Sequence, residues 1–431
     1  MYMNPIICII ADDLTGASDT GIQYHKAGHS VYLSLSTEHL DVPDDANVVV
    51  INNDSRYLNS EKAYNRVFQS AIECKAKGIT KFYKKIDSTM RGNIKGEIDA
   101  LLDALDCPAA IIAPSAPDNK RTVKGGNCFI GEILIHNCES GKDILNPVKS
   151  SYIPDHFLSN GINHSVVLRV EDLNKPFSEL KKMIEMLISN GYKYIICDAE
   201  SKNDLKAISV LKNIDNLLLV GSSGLADVLA GEKIKNQDGS ILHPVLPEKV
   251  LIINGSRMGI SRKQTEMIVK NRNVFLVQLY EKNIVNNPVD EMERAQSIVS
   301  DTCKEGAFLI QTVAQQDNEE YQSVDIERQL AGSISTFFGQ LVRSIYIKKH
   351  IEAIIIIGGD TSSKIMKALD VEGVEYLGEV LSGIPFGSLH GSLFNKPIYF
   401  ISKSGSFGDP KTLEQLFDFI TGKNIYGENY V

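Results

Sequence analysis

The sequence contains no Cys-x-x-Cys pair, and its 7 cysteines (Cys8, Cys74, Cys107, Cys128, Cys138, Cys197 and Cys303) are scattered along the chain. An odd, dispersed set excludes a disulfide framework and a zinc knuckle; several lie inside apolar runs and read as buried structural thiols. There is no excess of positive charge either. Lys and Arg number 45 against 54 Asp and Glu, a formal net charge of -9. That balance argues against a nucleic-acid partner, but not against an anionic small substrate, because local charge can oppose the total. No apolar run is long enough to cross a bilayer, and the start lacks a basic segment followed by a small-residue cleavage pattern. The expectation is a cytoplasmic protein with no membrane partner, in which the sequon-like Asn254-Gly255-Ser256 has no bearing on glycosylation. The Walker pattern Gly-x4-Gly-Lys-Ser/Thr is missing, as is a Gly-x-Gly-x-x-Gly after the first apolar run. A P-loop NTPase and a simple dinucleotide-binding first domain are thereby excluded. No Gly-x-Ser-x-Gly elbow occurs. His25 and His29 are spaced like a metal pair on a helix but have no third ligand nearby, so they read as a solvated helix face. No metal ligand set is assigned.

What the sequence does contain is one pattern, repeated. A short apolar run ends in polar or Gly/Ser-rich residues, and a helix-like segment follows. The first case is Ile6-Ile7-Cys8-Ile9-Ile10-Ala11-Asp12-Asp13-Leu14-Thr15-Gly16. Others begin at Val48, Phe82, Ala110, Tyr194 and Leu217. Near-continuous apolar strands separated by helices predict an α/β fold with a mainly parallel sheet covered on both faces. Ligands in such sheets bind beyond the carboxyl ends of the strands, where these polar clusters fall. With 431 residues, 43% hydrophobic and 23% charged, the chain is too long for one ordinary core. Residues 231–247 are rich in Gly, Pro, Asp, Asn and Lys and read as a break. The pattern restarts at Val250 and continues at Val274, Ala307, Ile354 and Ile398. Two α/β domains are expected, residues 1–235 and 249–431, joined by a linker over 236–248, with the active site in the cleft between them.

Three strand-to-helix turns in the second half could cradle phosphate. They are Asn254-Gly255-Ser256-Arg257, Gly358-Gly359-Asp360-Thr361-Ser362-Ser363 and Lys403-Ser404-Gly405-Ser406-Phe407-Gly408. Glycine lets backbone approach an anion, and Thr361, Ser362 or Ser363 could cap the following helix. Asp409 and Pro410 suit the N-cap and first position of a helix over residues 411–420. In the first half, Asp12 and Asp13 end one strand and Arg56 follows another. Lys84-Lys85-Ile86-Asp87-Ser88-Thr89-Met90-Arg91 then gathers cations, an acid and hydroxyls. Lys and Arg at a strand end suit a carboxylate or phosphate, and a neighbouring Asp can deprotonate a hydroxyl. Bland alternatives stand beside these readings: Asp12 or Asp13 as a helix cap, Lys84 as a solvated residue, Asp87 as an N-cap.

These stretches together resemble the four-carbon acid sugar kinase family, from Ala11-Asp12-Asp13-Leu14-Thr15-Gly16-Ala17-Ser18-Asp19-Thr20-Gly21 to Lys403-Ser404-Gly405-Ser406-Phe407-Gly408 and in family order. The resemblance implies an N-terminal substrate domain, a C-terminal nucleotide domain and transfer of phosphate from ATP to the terminal hydroxyl of a tetronate. It places acceptor contacts at Asp12, Asp13, Arg56, Lys85, Asp87 and Ser88. ATP contacts fall at Ser256, Gly358, Gly359, Asp360, Thr361 and Gly405. Leu14 and the Asp19-Thr20-Gly21 ending are closer to the D-threonate and D-erythronate kinases than to the 3-oxo-tetronate kinases. A homodimer follows by family analogy.

The mechanism expected from the sequence assigns the base to Asp12 or Asp13. Lys84, Lys85, Arg56, Asp87, Ser88, Thr89 and Arg91 hold the acid, and Mg²⁺ rides on the ATP phosphates. A haloacid-dehalogenase-type phosphatase is a weaker reading, because Thr15 stands where its second acid belongs. A non-catalytic sugar-acid sensor is a third.

Overall fold

In the computed structural model of the chain, the structure describes residues 7–35, 40, 42–43, 46–142, 146–159, 161–231, 246–302, 306–313, 324–381, 383–396, 398–405 and 407–423. The expected linker falls largely outside them, at 236–245, as do Cys303 and Ser406. The chain divides into two compact units, residues 1–237 and 238–431.

In the first unit the apolar runs become strands because β-branched side chains fit a pleated surface buried on both faces. The strand Val48–Asn52 is buried at every position, as is Ala109–Ala113. Eight strands lie in the order Ser165–Leu168, Tyr194–Cys197, Ala109–Ala113, Leu217–Gly221, Phe82–Lys85, Ile7–Ala11, Val48–Asn52 and Val31–Ser34. Every pairing among them is parallel. After Ile7–Ala11 the chain fills the sheet first on one side and then, from Phe82–Lys85 onward, on the other. The winding therefore reverses between these two strands, which pair with Ala11 opposite Lys85. A reversal of this kind leaves a crevice at the strands' carboxyl ends. One face packs Cys8, Ile10, Val49 and Ile51 against Val67, Ala71, Cys74, Ile98 and Leu101 from two helices. Each such fully buried aliphatic side chain contributes about 1.5–3 kcal/mol. Cys8, Cys74, Cys128 and Cys197 are buried and free.

One addition and one departure were not expected. A three-stranded antiparallel sheet, Arg121–Lys124, Asn127–Ile130 and Ile133–Leu134, follows the strand Ala109–Ala113. The pair His25/His29 does not share a helix, because the helix Leu14–Lys26 ends before His29. The His29 ring instead meets the Ala230 carbonyl oxygen at 3.3 Å.

In the second unit the order is Gly373–Leu381, Ile384–His390, Ile398–Lys403, Ala353–Ile357, Lys249–Asn254, Gly306–Val313 and Val274–Tyr280. The strands from Ile398–Lys403 to Val274–Tyr280 are parallel. The hairpin Gly373–Leu381/Ile384–His390 adds antiparallel strands at one edge. The carboxyl ends of Lys249–Asn254, Ala353–Ile357 and Ile398–Lys403 are neighbours, since Asn254 pairs with Ile357 and Ile357 with Lys403. The three glycine turns therefore leave the sheet side by side.

Candidate active site

Asp12 and Asp13 follow the last residue of the strand Ile7–Ala11, at the reversal point. Asp13 is the N-cap of the helix Leu14–Lys26: its Oδ1 accepts the Gly16 N–H at 2.8 Å. The capping reading thus holds for Asp13, without exhausting it. Arg56 lies between the two acids. Its Nε donates to Asp12 Oδ2 at 2.7 Å and its Nη1 meets Asp13 Oδ2 at 2.5 Å. The Arg56 backbone is held as well, because the Asp12 carbonyl accepts the N–H groups of Ser55 and Arg56. Gly92, at φ +99, closes the other side; a Cβ there would lie 3.3 Å from Asp12 Oδ2.

The two carboxylates differ. Asp12 is buried, and its Oδ1 has no partner among the described residues. Burial opposes its ionisation, but Arg56, Lys84 and Lys85 outweigh that and hold the carboxyl below its ordinary value. The Asp13 side chain is 22% exposed. Burial raises its carboxyl, and the adjacent charge of Asp12 adds to the rise against the pull of Arg56. Of the pair, Asp13 is the better base and the more accessible.

Lys84 is not solvated, and its ammonium is turned away from solvent. It is wholly buried, and its Nζ meets Glu97 Oε2 at 2.8 Å and donates to the carbonyls of Ile10 and Lys85 at 3.2 and 2.9 Å. Its three donors are spent inside the protein, beneath the strand end that carries Asp12. Ser55 Oγ donates to the other Glu97 oxygen at 2.7 Å. Lys85, on the alternate face, points to the site. A Cβ at Gly16 would lie 2.6 Å from its Nζ and 2.7 Å from Asp13 Oδ1. Among the described residues Lys85 makes no ion pair.

Asp87 caps no helix; the next helix, Ile94–Leu105, begins beyond it. Its Oδ2 accepts from Thr89 Oγ1 at 2.5 Å and Arg91 Nε at 2.6 Å. Burial resists ionisation of Asp87, but Arg56 and Arg91 overcome it and hold the carboxyl well below the carboxylate range. Ser88 Oγ accepts from Arg121 Nη1 at 2.9 Å. Two further residues at this site were not expected. One is Arg121, from the small antiparallel sheet. The other is Asp19, one helical turn beyond Gly16, whose carboxyl is pushed up to about 6 by burial against the pull of Lys85. Helical spacing from Gly16 could have pointed to Asp19. No sequence signal could have placed Arg121.

In the second unit Ser256, Gly358, Gly359, Asp360, Thr361 and Gly405 all line one pocket of about 280 Å³. Arg257, Thr312 and Ser335 join them, the last two from the strand Gly306–Val313 and the helix Val324–Lys349, where no motif marked them. The turns touch: a Cβ at Gly255 would lie 2.0 Å from Thr361 Oγ1, and one at Gly405 2.0 Å from Ser256 Oγ. The helix Gly359–Ala368 starts earlier than expected. Gly358, at φ +115, is its N-cap, so Thr361, Ser362 and Ser363 are inside the helix and the N-cap residue supplies no side-chain cap. An uncapped N-terminus lining a pocket suits an anion. The turn carrying Gly405 is braced by Ser261 Oγ, which donates to the Gly405 carbonyl at 2.5 Å, and by Gln264, which donates to Phe407 and Asp409 carbonyls. The last helix runs Thr412–Ile420 with Lys411 as N-cap, one position later than expected; Asp409 Oδ1 accepts the Lys411 N–H. No group of three His, Cys, Asp or Glu that could hold a metal occurs among the described residues. No described helix is long and apolar enough to cross a membrane.

One unit thus offers a crevice of acids, cations and hydroxyls, and the other a glycine-walled anion pocket, the division of a two-domain enzyme that joins a polar small molecule to a nucleotide. Residues 7–229 match the family described as sugar-binding N-terminal domain, and residues 251–413 that described as nucleotide-binding C-terminal domain. The chain belongs to the four-carbon acid sugar kinase family. It is similar to a D-threonate kinase of Salmonella typhimurium (28% identical, covering 94% of this chain and 96% of that protein). It is also similar to a D-erythronate kinase of Heliobacterium modesticaldum (27%, 98% and 99%) and a 3-oxo-tetronate kinase of Actinobacillus succinogenes (25%, 96% and 98%). A solved Haemophilus influenzae structure shares the fold, with a TM-score of 0.73 at 24% identity, over 96% of this chain and 100% of that one.

Three tests follow from this geometry. Lys84→Met strands the buried Glu97 carboxylate and should destabilise the protein by about 3–5 kcal/mol in urea unfolding, with much of the loss recovered in Lys84→Met/Glu97→Leu. A substrate-binding Lys84 would instead lower activity with little change in stability. For Asp19, a folded value near 6 exceeds the ordinary carboxylate value of about 3.9. The folded state therefore holds the extra proton between those values, and stability present below about pH 4 is lost as pH rises through 6. Asp19→Asn should raise the ligand-free Tm by roughly 2–4 °C at pH 8, with the gain shrinking toward pH 4. Finally, Gly405→Ala should raise KM for ATP about tenfold or more while leaving KM for the acid within about twofold; an unchanged ATP KM would move the nucleotide elsewhere.

Proposed function

We propose that the chain phosphorylates the terminal 4-hydroxyl of D-threonate or D-erythronate with ATP, giving the 4-phosphate and ADP. The observation that carries this reading is the inequality of the two acids on Arg56, which leaves a partly exposed carboxylate, pushed upward, beside Lys85, a cation that makes no ion pair among the described residues. Asp13 accepts the proton of the 4-hydroxyl as the oxygen–phosphorus bond forms and the bond to the ADP oxygen breaks. Asp12 keeps Arg56 in place. Lys85, Ser88 and Asp87 line the acceptor side, with Lys85 offering charge and Ser88 a hydroxyl. The ATP phosphates lie on the uncapped turn at Gly358, Gly359 and Thr361, with Ser256 and Gly405 as the opposing walls.

Mg²⁺ would be carried mainly by those phosphates, as is usual for this ion at a nucleotide. Asp360, which lines the pocket, is the acidic side chain that would hold it. It would supply charge neutralisation on the transferred group. The phosphatase reading has no support here: Thr15, inside the helix Leu14–Lys26, cannot act as the second acid. A 3-oxo-tetronate remains the alternative acceptor, since relatives carrying that name also match along nearly the whole chain.

Measuring ADP release over D-threonate, D-erythronate and 3-oxo-tetronates tests the reading. One four-carbon acid should stimulate release well above ATP alone. Binding without release would make the protein a sensor. With the preferred acid, Asp13→Asn should lower kcat by about 100-fold or more at near-constant KM. Asp12→Asn should lower stability by removing one of the two acids on Arg56, and should lower kcat as well, because the charge that raises Asp13 is gone. A near wild-type rate for Asp13→Asn would remove Asp13 as the base.

A further inference from the structure

Five cations stand around the crevice of the first unit, and three are already neutralised by the protein. Arg56 is held by Asp12 and Asp13. Lys84 is paired with Glu97, and Arg91 with Asp87 at 2.6 Å. A carboxylate arriving from solvent gains little from a cation whose charge is already opposed at contact distance, and would have to break a buried pair to do better. Lys85 and Arg121 are left. Neither makes an ion pair among the described residues.

The guanidinium of Arg121 donates one hydrogen bond to a described residue, from Nη1 to Ser88 Oγ. Its remaining N–H groups form the fork that matches a carboxylate bidentately. Ser88, as acceptor of that bond, has its own hydroxyl hydrogen left to donate. The position of Arg121 is fixed by its main chain. It exchanges two hydrogen bonds with Ala116, at 2.8 and 3.1 Å. The small sheet it begins is pinned to the main sheet by the Val123–Ala199 bridge. Asp198 adds to this, its two oxygens accepting the Gly125 and Gly126 N–H groups at 2.6 and 2.8 Å. Arg121 lies within electrostatic reach of the Asp19 carboxyl, as do Lys85 and Asp13.

We propose that Arg121, with Ser88 beside it, binds the carboxylate of the sugar acid and sets the preference of the enzyme for an acid over a neutral four-carbon polyol. Arg56 and Arg91, already paired with acids, are then not charge partners of that carboxylate. The proposal rests on the four-carbon acid kinase reading.

The test compares the preferred acid with its carboxamide, a near-isostere that lacks the charge. Wild type is assayed first: if no four-carbon acid stimulates ADP release, the kinase reading fails, and this inference with it. Where wild type is active, Arg121→Gln should raise KM for the acid roughly 10–100-fold. The inhibition constant of the carboxamide and KM for ATP should stay within about threefold, so the acid-over-amide preference collapses. If acid and carboxamide weaken equally, Arg121 only supports the fold and the proposal is overturned; an unchanged KM for the acid overturns it too, with the kinase reading intact. Should Arg121→Gln not accumulate as folded protein, Arg121→Lys decides. It keeps the charge but not the fork, and a loss of about tenfold for the acid alone supports the proposal. No loss, or an equal loss for both compounds, overturns it.

Discussion

Two carboxylates on adjacent residues at a buried strand end repel each other and each resists leaving water. Nothing about the strand itself would keep them there. Arg56 does, with one guanidinium nitrogen on each acid and its main chain hung from the Asp12 carbonyl. The arrangement needs the strand Val48–Asn52 to pair beside Ile7–Ala11 so that residue 56 arrives at the right height. It also needs Gly92, because a side chain there would press on Asp12 and on Arg56 Cγ. The contact thus draws on three separate stretches of chain. Breaking any one of them would leave buried charge uncompensated, which is the costly case for an ion pair.

From that constraint comes a separation between cations that build the site and cations that remain for the ligand. Lys84 and Lys85 are neighbours on one strand, so their side chains point to opposite faces. Lys84 goes under the sheet edge to Glu97 and becomes part of the core; Lys85 goes over Gly16 into the crevice. Glycine at position 16 is what makes room for the second ammonium. The sequence shows two adjacent lysines with the same chemistry. The pleat gives them different roles.

Legibility followed from distance along the chain. The parallel strands could be read because each is an apolar run that stops at a polar cluster, and the same clusters marked Asp12, Asp13, Lys85, Ser256 and Gly358. What could not be read was any contact made by a segment without that pattern. Arg121 belongs to a short antiparallel sheet of mixed polarity, where alternation over four residues is too weak a signal. Thr312 and Ser335 line the glycine-walled pocket from elements whose own sequences suggest only a strand and a helix. Lys84 read as an acid-binding residue or a solvated one, and nothing in the sequence drew Glu97 to it. Their burial rests on a pairing across 13 residues that the sequence does not display. The hydroxyls after Gly359 looked like caps because Ser and Thr favour that position. Gly358, in a backbone conformation open to glycine, starts the helix before they can serve.

The two units meet anions in different ways, and the difference fits the parts they are asked to hold. In the second unit the pocket is made of backbone: glycines so close to Ser256 and Thr361 that no other residue fits, and helix N–H groups without a side-chain cap. Lys403, the buried lysine beside it, is lowered to about 8 by burial and donates to the Ser404 carbonyl. Backbone dipoles fixed by packing suit a polyphosphate, whose many oxygens need many donors and little discrimination. The first unit uses side chains, and on the proposed mechanism it must do more than bind, since one acid has to stay ionised enough to accept a proton and basic enough to want it. A lone aspartate paired with an arginine would be too weak a base. Sharing one Arg56 between two acids leaves Asp13 less than fully compensated, and the charge on the deeper Asp12 raises it further. On this argument Asp12 earns its place through its effect on its neighbour, which is why a strand end carrying two aspartates can do what one could not.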